Sequence, residues 1–382
     1  MTAAGEKSAI RGNKVCILTT VHPPFDTRIF HKQAKTLVQA GYDVTLIVQH
    51  ERDEVVDGVK IIALPKPRNR FTRIFGLTWR AFRLALRQHA DIYHFHDPEL
   101  LAIGPLLKVL SKGKIIYDVH EDYPATIVTK EWLPSYSRLI ISLFFRLFEK
   151  WLSSACDGVV TVNEQVLQRL SHRGGIVVTN FPILHDGFRI EKEEHSVARP
   201  FTCIYPGGLT RTNGIFEALG ALDILSRTRD VRLILLGPLK DADLAAEIEA
   251  HNWVEYLGVV PHEKIWDYLH KADMGLLLYH PVRNALWSRP NKLFEYMAAG
   301  LPIVASNMPG WQGFVEGEKC GILVDPKDLD QITQAIEHLM KHPEERHRMG
   351  ENGRRAVLEK YNWNREAKKL LALYEELLDE NY

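Results

Sequence analysis

Cysteine is scarce: only Cys16, Cys156, Cys203 and Cys320 occur in 382 residues. They lie far apart and form no C-x-x-C or Cys/His ligand cluster, which argues against a disulfide framework and against structural zinc. A reducing, cytoplasmic setting is the expectation. Long apolar runs are also missing, since no stretch approaches the roughly 18 to 20 apolar residues that span a bilayer. The opening MTAAGEKSAIRGNK lacks the apolar core of a signal peptide, so a soluble or peripheral protein is expected. Nor does one sign of charge prevail. The 48 basic residues equal the 48 acidic ones, so the whole-molecule field gives no reason to expect nucleic acid as a partner, and attraction to anions must be local.

What the chain does have is enough apolar residue, 46% of the total, to bury large cores in more than one domain. Short β-branched runs alternate with helix-like segments: KVCILTT, DVTLIV, DIYHFH, KIIYDVH, GVVTV and GIVVTN, with amphipathic stretches such as FHKQAKTLVQAG between them. This rhythm predicts βα units around a parallel sheet. A polar, charge-dense stretch at 185–200, HDGFRIEKEEHSVARP, interrupts it. The rhythm then resumes with FTCIYPG, RLILLG, EYLG, MGLLLY, PIVAS and GILVD. Two doubly wound domains in tandem are expected, 1–190 and 191–363, with ligands beyond the strand ends in the cleft the two face. The last helix, within 364–382, has an apolar stripe and no following strand, and is expected to cross back onto the first domain.

Two segments point to an anionic ligand. YPGGLTRTNGI at 205–215 reads as a strand, a glycine pair (Gly207 and Gly208), a polar loop and a helix start near Gly214. Glycines let a diphosphate approach the backbone, a helix N-terminus offers unpaired N–H groups, and Arg211 adds a bidentate charge. A tight β-to-α turn with an exposed arginine accounts for the same residues. In SRPNKLFEYMAAGLPIVAS at 288–306, Pro290 opens a helix on which Lys292 and Glu295 are neighbours. Lysine there suits phosphate, while a carboxylate can take both hydroxyls of a ribose; an ordinary helical ion pair is the alternative.

Together these segments resemble the family-4 retaining glycosyltransferases of GT-B fold, especially the bacterial polysaccharide-assembly type. That family carries a G-R-L-x-x-x-K-G loop, an E-x7-E element and an A-A/C-G-x-P-V-V strand entry; this chain has GGLTRTNG at 207–214 and FEYMAAGLPIVAS at 294–306. The first domain matches in VHPPFDTRIFHKQAKTLVQAGYDVTLI, DIYHFHDPELL and YDVHEDYP. The resemblance implies an α/β, GT-B fold of two Rossmann-like domains. It implies that Glu295 holds the donor ribose and that His120 sits near the reacting sugar, where a neutral imidazole can bond a hydroxyl or relay a proton. Donor contacts are expected from Gly207, Gly208, Asn213, Leu293 and Glu295, and catalytic roles from His120, Arg211 and Lys292. The sequence departs from the family pattern where the first glutamate falls on Trp287, the arginine on Gly208 and the lysine on Asn213; Arg211 and Lys292 are the substitute cations.

The loop VHPPFDTR stands where the family has a glycine-rich turn, so Phe25, Asp26 and Arg28 are assigned to a phosphate loop, with Arg28 either assisting there or pairing with Asp26. His94, His96, Asp97 and Glu99 crowd one strand end. Alternation puts His94 and His96 on one face, but the GT-B resemblance implies basic side chains and helix dipoles in place of a metal, so His96 and Asp97 are given an acceptor-side or structural role. No metal and no cofactor are expected. KPRNRFTRIFGLTWRAFRLALRQH at 66–89 has seven basic residues, no acidic ones and aromatics at helical spacing, and SRLIISLFFRLFEKWL at 137–152 is strongly apolar. Both suit an anionic membrane surface, or are helices packed on the sheet with a basic face outward.

The expected partners are a nucleotide-sugar donor, UDP-linked by preference with GDP-mannose next, and a glycan or lipid-linked acceptor. No carboxylate pair has glycosidase spacing. The resemblance implies front-face transfer of a hexosyl group with retained configuration, in cell-surface polysaccharide synthesis. Rival readings are a nucleotide-sugar epimerase or a phosphorylase on the same scaffold, and a non-catalytic partner subunit, which would bind donor weakly or not at all.

Overall fold

The computed structural model describes residues 12–130, 133–184 and 199–379; most of the linker expected at 185–200 lies outside the described residues. Two units emerge, Met1–Asn180 with Trp363–Tyr382, and Phe181–Asn362. The second begins at 181 rather than 191 because the Phe181 ring stacks edge-on against Phe294 at 4.6 Å in that unit's core.

In the first unit the strands are β1 (Lys14–Leu18), β2 (Asp43–Gln49), β3 (Glu54–Val56), β4 (Val59–Leu64), β5 (Ile92–Phe95), β6 (Lys114–Val119), β7 (Gly158–Thr161) and β8 (Gly175–Val177). They form one sheet in the order β3-β4-β2-β1-β5-β6-β7-β8. All neighbours run parallel except β3 and β4, a hairpin whose turn residues Asp57 (φ 52) and Gly58 (φ 80) both take positive φ, the geometry that matches strand twist. A uniform βα rhythm does not anticipate this hairpin, although VVDGVKII carries its Asp-Gly signal. The strand order reverses between β1 and β5, which places a crevice beyond their carboxyl ends.

Each face of this sheet has its own core. On one, the helical stretches 72–86, 98–111, Ser135–Ser153 and Glu164–Leu170 cover Leu18, Phe95, Tyr117 and Val159. On the other, the helix over 27–39 and the C-terminal helix Trp363–Asp379 cover Ile17, Leu46, Ile92 and Val160. The C-terminal helix is tied in by polar contacts as well as packing. Trp363 Nε1 donates to Thr36 Oγ1 at 2.9 Å, Thr179 N donates to Glu366 Oε2 at 2.7 Å, and Tyr374 OH bonds His94 Nδ1 at 2.7 Å. Among the described residues no helix is long and apolar enough to cross a membrane.

The second unit's strands are β9 (Phe201–Pro206), β10 (Val231–Leu236), β11 (Val254–Tyr256), β12 (Met274–Leu277), β13 (Ile303–Ser306) and β14 (Gly321–Val324). All are parallel, in the order β11-β10-β9-β12-β13-β14, and this order reverses between β9 and β12. Those two strands pair only at Cys203–Met274 and Ile204–Gly275. Where they diverge, the buried Tyr296 hydroxyl shares its proton between Ile204 O (3.1 Å) and Leu276 O (3.0 Å). Its ring needs the space above Gly275, where a Cβ would lie 2.5 Å from it. Tyr296→Phe leaves both carbonyls without that donor and is expected to lower stability by about 1–3 kcal/mol, read as an earlier chemical-denaturation transition of the full chain.

Candidate functional site

The crevice of the first unit holds a buried network of opposite charges. Asp26 starts the helix over 27–39 by accepting Arg28 N (2.8 Å) and Ile29 N (2.9 Å), and this fixes the direction in which Arg28 leaves the backbone. Its guanidinium runs inward to Asp118 at the end of β6, with Nη2 2.9 and 3.1 Å from the two carboxylate oxygens and Nε 3.2 Å from Oδ2. Nη1 donates to Val178 O at 2.8 Å. Gln33 Nε2 adds a bond of 2.6 Å to Asp118 Oδ2. The Arg28 guanidinium is therefore engaged with Asp118 rather than with the Asp26 carboxylate, which takes only its backbone N–H: a carboxylate with no exposure at all recruits the nearest cation, and a planar fork satisfies it best.

Around this pair gather three histidines. His94 and His96 stack at 4.7 Å between ring centroids, as strand alternation requires. Their nitrogens come within 3.5 and 3.6 Å of Asp118 Oδ2, and His96 Nδ1 is hydrogen-bonded to His120 Nε2 at 2.9 Å. Burial opposes the charge on Asp118, but Arg28 and the histidines outweigh it and hold the carboxyl well below its ordinary range. Burial pulls His120 down to about 3 against the attraction of Asp118, and it drives His96 well below its usual value. Both are neutral at pH 7. His94, His96 and Asp118 are spaced closely enough to share a metal ion, and both Asp118 oxygens also accept from Arg28.

Only the mouth of this network reaches solvent. His120 is 15% exposed, and its ring lies 4.8 Å from that of His22, which is 25% exposed. Burial opposes the charge on His22, but its hydrogen bond to Asp26 and the field of Asp97 raise its pKa. His22 carries no motif signal of its own, although it sits in the strand-end loop VHPPFDTR. Asp97, expected in an acceptor-side or structural role, is a buried anchor for that loop: it accepts Thr19 Oγ1 at 2.9 Å together with the backbone N–H and hydroxyl of Thr20. His96 is likewise fully buried and meets the mouth only through His120. Phe25 is half-exposed and lies edge-on to Phe30 at 5.1 Å and His50 at 5.8 Å.

The second unit places its own group at the reversal between β9 and β12. Gly207 follows β9 with φ 131, and its N–H donates to Leu236 O at 2.7 Å. Lys292, one residue into the helix Asn291–Ala298, crosses beneath it. The ammonium lies 3.7 Å from the centroid of the Tyr205 ring and 5.2 Å from that of Tyr279, and a Cβ on Gly207 would fall 2.5 Å from Nζ. The positive φ favours glycine here, and any side chain would displace the ammonium from its seat. Burial lowers Lys292 to about 7, against the opposing field of Glu295. Glu295, on the same helix, is 8% exposed.

The loop after Gly207 closes on itself. Asn213 Nδ2 donates to Gly208 O (2.7 Å) and Asn213 N to Thr210 Oγ1 (3.2 Å), so the amide expected to touch a donor already serves the loop. Gly214 (φ 76) begins the helix Ile215–Ser226, and a Cβ there would strike Leu278 O at 1.9 Å. Arg211 stacks its guanidinium on Phe216 at 4.1 Å, and Leu293 is a core side chain whose N–H donates to Pro290 O. Of the expected donor-side residues, the structure brings together Gly207 and Lys292, with Glu295 one helical turn further on. Tyr205 and Tyr279, which shape the lysine's seat, escape a reading of the sequence because aromatic faces over a cation leave no spacing signal.

Two doubly wound parallel sheets in one chain, each with a polar group at the point where its strand order reverses, define a two-domain α/β enzyme of the GT-B class. Solved structures share the fold: sucrose-phosphate synthase from Thermosynechococcus elongatus (TM-score 0.74, 18% identity, covering 96% of this chain and 100% of that one) and HepE from Anabaena in complex with UDP-glucose (TM-score 0.69, 13% identity, 95% and 99%). Glycogen synthase of Mycobacterium tuberculosis is 23% identical over 91% of this chain and 90% of its own. The family model described as Glycosyltransferase Family 4 matches residues 27–191, and that described as Glycosyl transferases group 1 matches residues 188–356. The chain belongs to the family-4-type GT-B glycosyltransferases.

The Arg28–Asp118 pair makes a specific demand. Arg28→Met strands a buried carboxylate and is expected to cost about 3–5 kcal/mol near neutral pH. Without its cation, Asp118 ionises only at raised pH, so its folded pKa moves above the unfolded one. Denaturation at pH 8 and pH 5 should therefore show the gap between variant and wild type shrinking as pH falls.

Proposed function

We propose that this glycosyltransferase moves a hexosyl group, with retention of anomeric configuration and without a metal ion, from a nucleotide-sugar to a glycan or lipid-linked saccharide acceptor in cell-surface polysaccharide synthesis. The observation that carries the reading is the Lys292 ammonium buried under Gly207 at the end of β9. A cation desolvated between aromatic rings, below a turn that has no side chain, is a seat for an anion that approaches along the backbone. A diphosphate fits it. As the bond from the anomeric carbon to the diphosphate oxygen breaks, negative charge grows on that oxygen, and a fixed cation in a dry site stabilises it without reorganisation. Glu295, next along the same helix face, takes the ribose hydroxyls. UDP is the preferred nucleotide, supported by the UDP-glucose in the Anabaena structure of the same fold; GDP-mannose is the next donor to try.

His120 completes the assignment on the first unit. Held neutral, partly exposed and oriented by His96, it can donate to or accept from a sugar hydroxyl without bringing a charge that competes with the lysine. In the retaining route the acceptor hydroxyl attacks the face from which the nucleoside diphosphate departs, and the leaving phosphate takes its proton, so no protein nucleophile is needed.

A thermal-shift series with UDP, GDP, ADP and their sugar conjugates tests the donor site, because a ligand bound by the native state alone raises the midpoint. A rise with UDP compounds is expected, removed in Lys292→Met and reduced in Glu295→Ala; an unchanged rise in Lys292→Met would overturn the assignment. The lysine also sets a pH dependence. A bound diphosphate favours the ammonium and raises its pKa from about 7, so binding takes up a proton above neutrality. Affinity should fall as pH rises from 7 to 9, and titration calorimetry in two buffers of different ionisation enthalpy should show proton uptake in the wild type; binding without proton uptake would count against the lysine.

A further inference from the structure

The helix Ser135–Ser153 is built inside out. Its polar residues Ser142, Glu149 and Ser153 are buried, while Leu139, Ile140, Leu143, Phe144, Leu147 and Trp151, spaced along one helical stripe, stand between 58% and 70% exposed. The register is not free to rotate. Glu149 accepts the Tyr117 hydroxyl at 3.0 Å and pairs with Arg169, and Ser142 Oγ donates to Pro124 O at 2.7 Å. Turning the apolar stripe inward would carry Glu149 to the surface and leave the buried Tyr117 hydroxyl and the Arg169 guanidinium without their partner. A helix so pinned presents its greasy side outward by construction, and a face of this size on a protein in water calls for something to cover it.

Two neighbouring helices extend the face. Phe71, Phe75 and Trp79 stand out along 71–79 at 69%, 62% and 50% exposure, and Val109 at the end of Gly104–Ser111 at 77%. These helices and Ser135–Ser153 cover the same side of the eight-stranded sheet, so their outer surfaces look the same way. The charge on these two helical stretches is nearly all of one sign, although Glu99 pairs with Arg73 at 2.8 Å. Segment 66–89 has seven basic residues and no acidic ones, and Ser135–Ser153 has Arg138, Arg146 and Lys150 against the single, buried Glu149. A second copy of the face would set arginine against arginine, which disfavours self-association. Aromatic and aliphatic side chains rimmed by exposed arginine and lysine match the headgroup region of an anionic bilayer, where rings sit at the apolar boundary and cations meet lipid phosphates. The charges on Ser135–Ser153 keep it on that surface rather than across it.

We propose that this flank of the first unit docks flat on an anionic phospholipid surface, with Phe144 and Trp151 inserted and the arginines of 66–89 on the headgroups. The docking holds whichever nucleotide the donor site takes, and it brings the enzyme to where a lipid-linked acceptor is anchored. The full chain is sedimented with vesicles of phosphatidylcholine alone and with added phosphatidylglycerol, at low and high salt. Binding to the phosphatidylglycerol vesicles is expected, weaker by about tenfold on phosphatidylcholine or in high salt. Phe144→Glu with Trp151→Glu should lower it at least about tenfold, with the unfolding midpoint and the nucleotide-induced shift retained. Arg80→Glu with Arg83→Glu should lower it on the anionic vesicles. No binding to anionic vesicles, binding that both double variants keep, or a dimer in light scattering that Phe144→Glu with Trp151→Glu dissolves would each overturn the proposal.

Discussion

A parallel sheet whose strand order reverses must let a pair of neighbouring strands diverge, and the backbone and polar groups at that divergence cannot be left without partners in a dry interior. The two units meet this constraint with different chemistry. In the second, one tyrosine hydroxyl bridges the carbonyls of Ile204 and Leu276, and a glycine on the neighbouring strand makes room for its ring. In the first, Asp97 gathers the loop that leaves β1, and the Arg28–Asp118 pair sits beside it with three imidazoles in contact. Lys292 and His120 each lie at the rim of a polar solution to the same packing problem.

That shared origin explains why the sites differ in electrostatics. The first crevice is charge-balanced from within, since Asp118 has a dedicated guanidinium and His96 and His120 are kept neutral by burial. It offers hydrogen bonds without net attraction, which suits hydroxyl groups. The second crevice holds an ammonium against aromatic faces, which suits phosphate. In the proposed reading, a division of labour between sugar hydroxyls and diphosphate would follow from where each unit places its compensating charge.

Much of this organisation is legible in the sequence because period-2 and period-3.6 patterns are set by burial. Strand alternation puts His94 and His96 on one face, and Pro290 and Gly300 bracket the helix that carries Lys292 and Glu295. The β3–β4 hairpin escapes despite Asp57-Gly58, because an antiparallel pair breaks the βα rhythm that the rest of the domain follows. Side-chain destinations are harder to read. Arg28 has an acidic neighbour two residues away, and nothing in its local spacing shows that a carboxylate 90 residues on is its partner. Arg211 has the right charge and stands in the right loop, yet a nearby ring, Phe216, holds its guanidinium. In Ser135–Ser153 the pattern marks an amphipathic helix but does not say which stripe faces in; that is decided by Arg169 and Tyr117, which belong to other elements.

The C-terminal helix has a bearing on how the chain acquires its structure during synthesis. Trp363–Asp379 provides the Tyr374 hydroxyl that bonds His94 and the Glu366 carboxylate that receives the Thr179 amide, and it covers one side of the first sheet. Those partners leave the ribosome only after the whole of Phe181–Asn362 has been made. The second unit is contiguous and can form as soon as it emerges. The first completes one face of its sheet, which the helix over 27–39 covers only in part, with a segment translated after its neighbour. The two units are thus completed in the reverse of the order in which they begin along the chain.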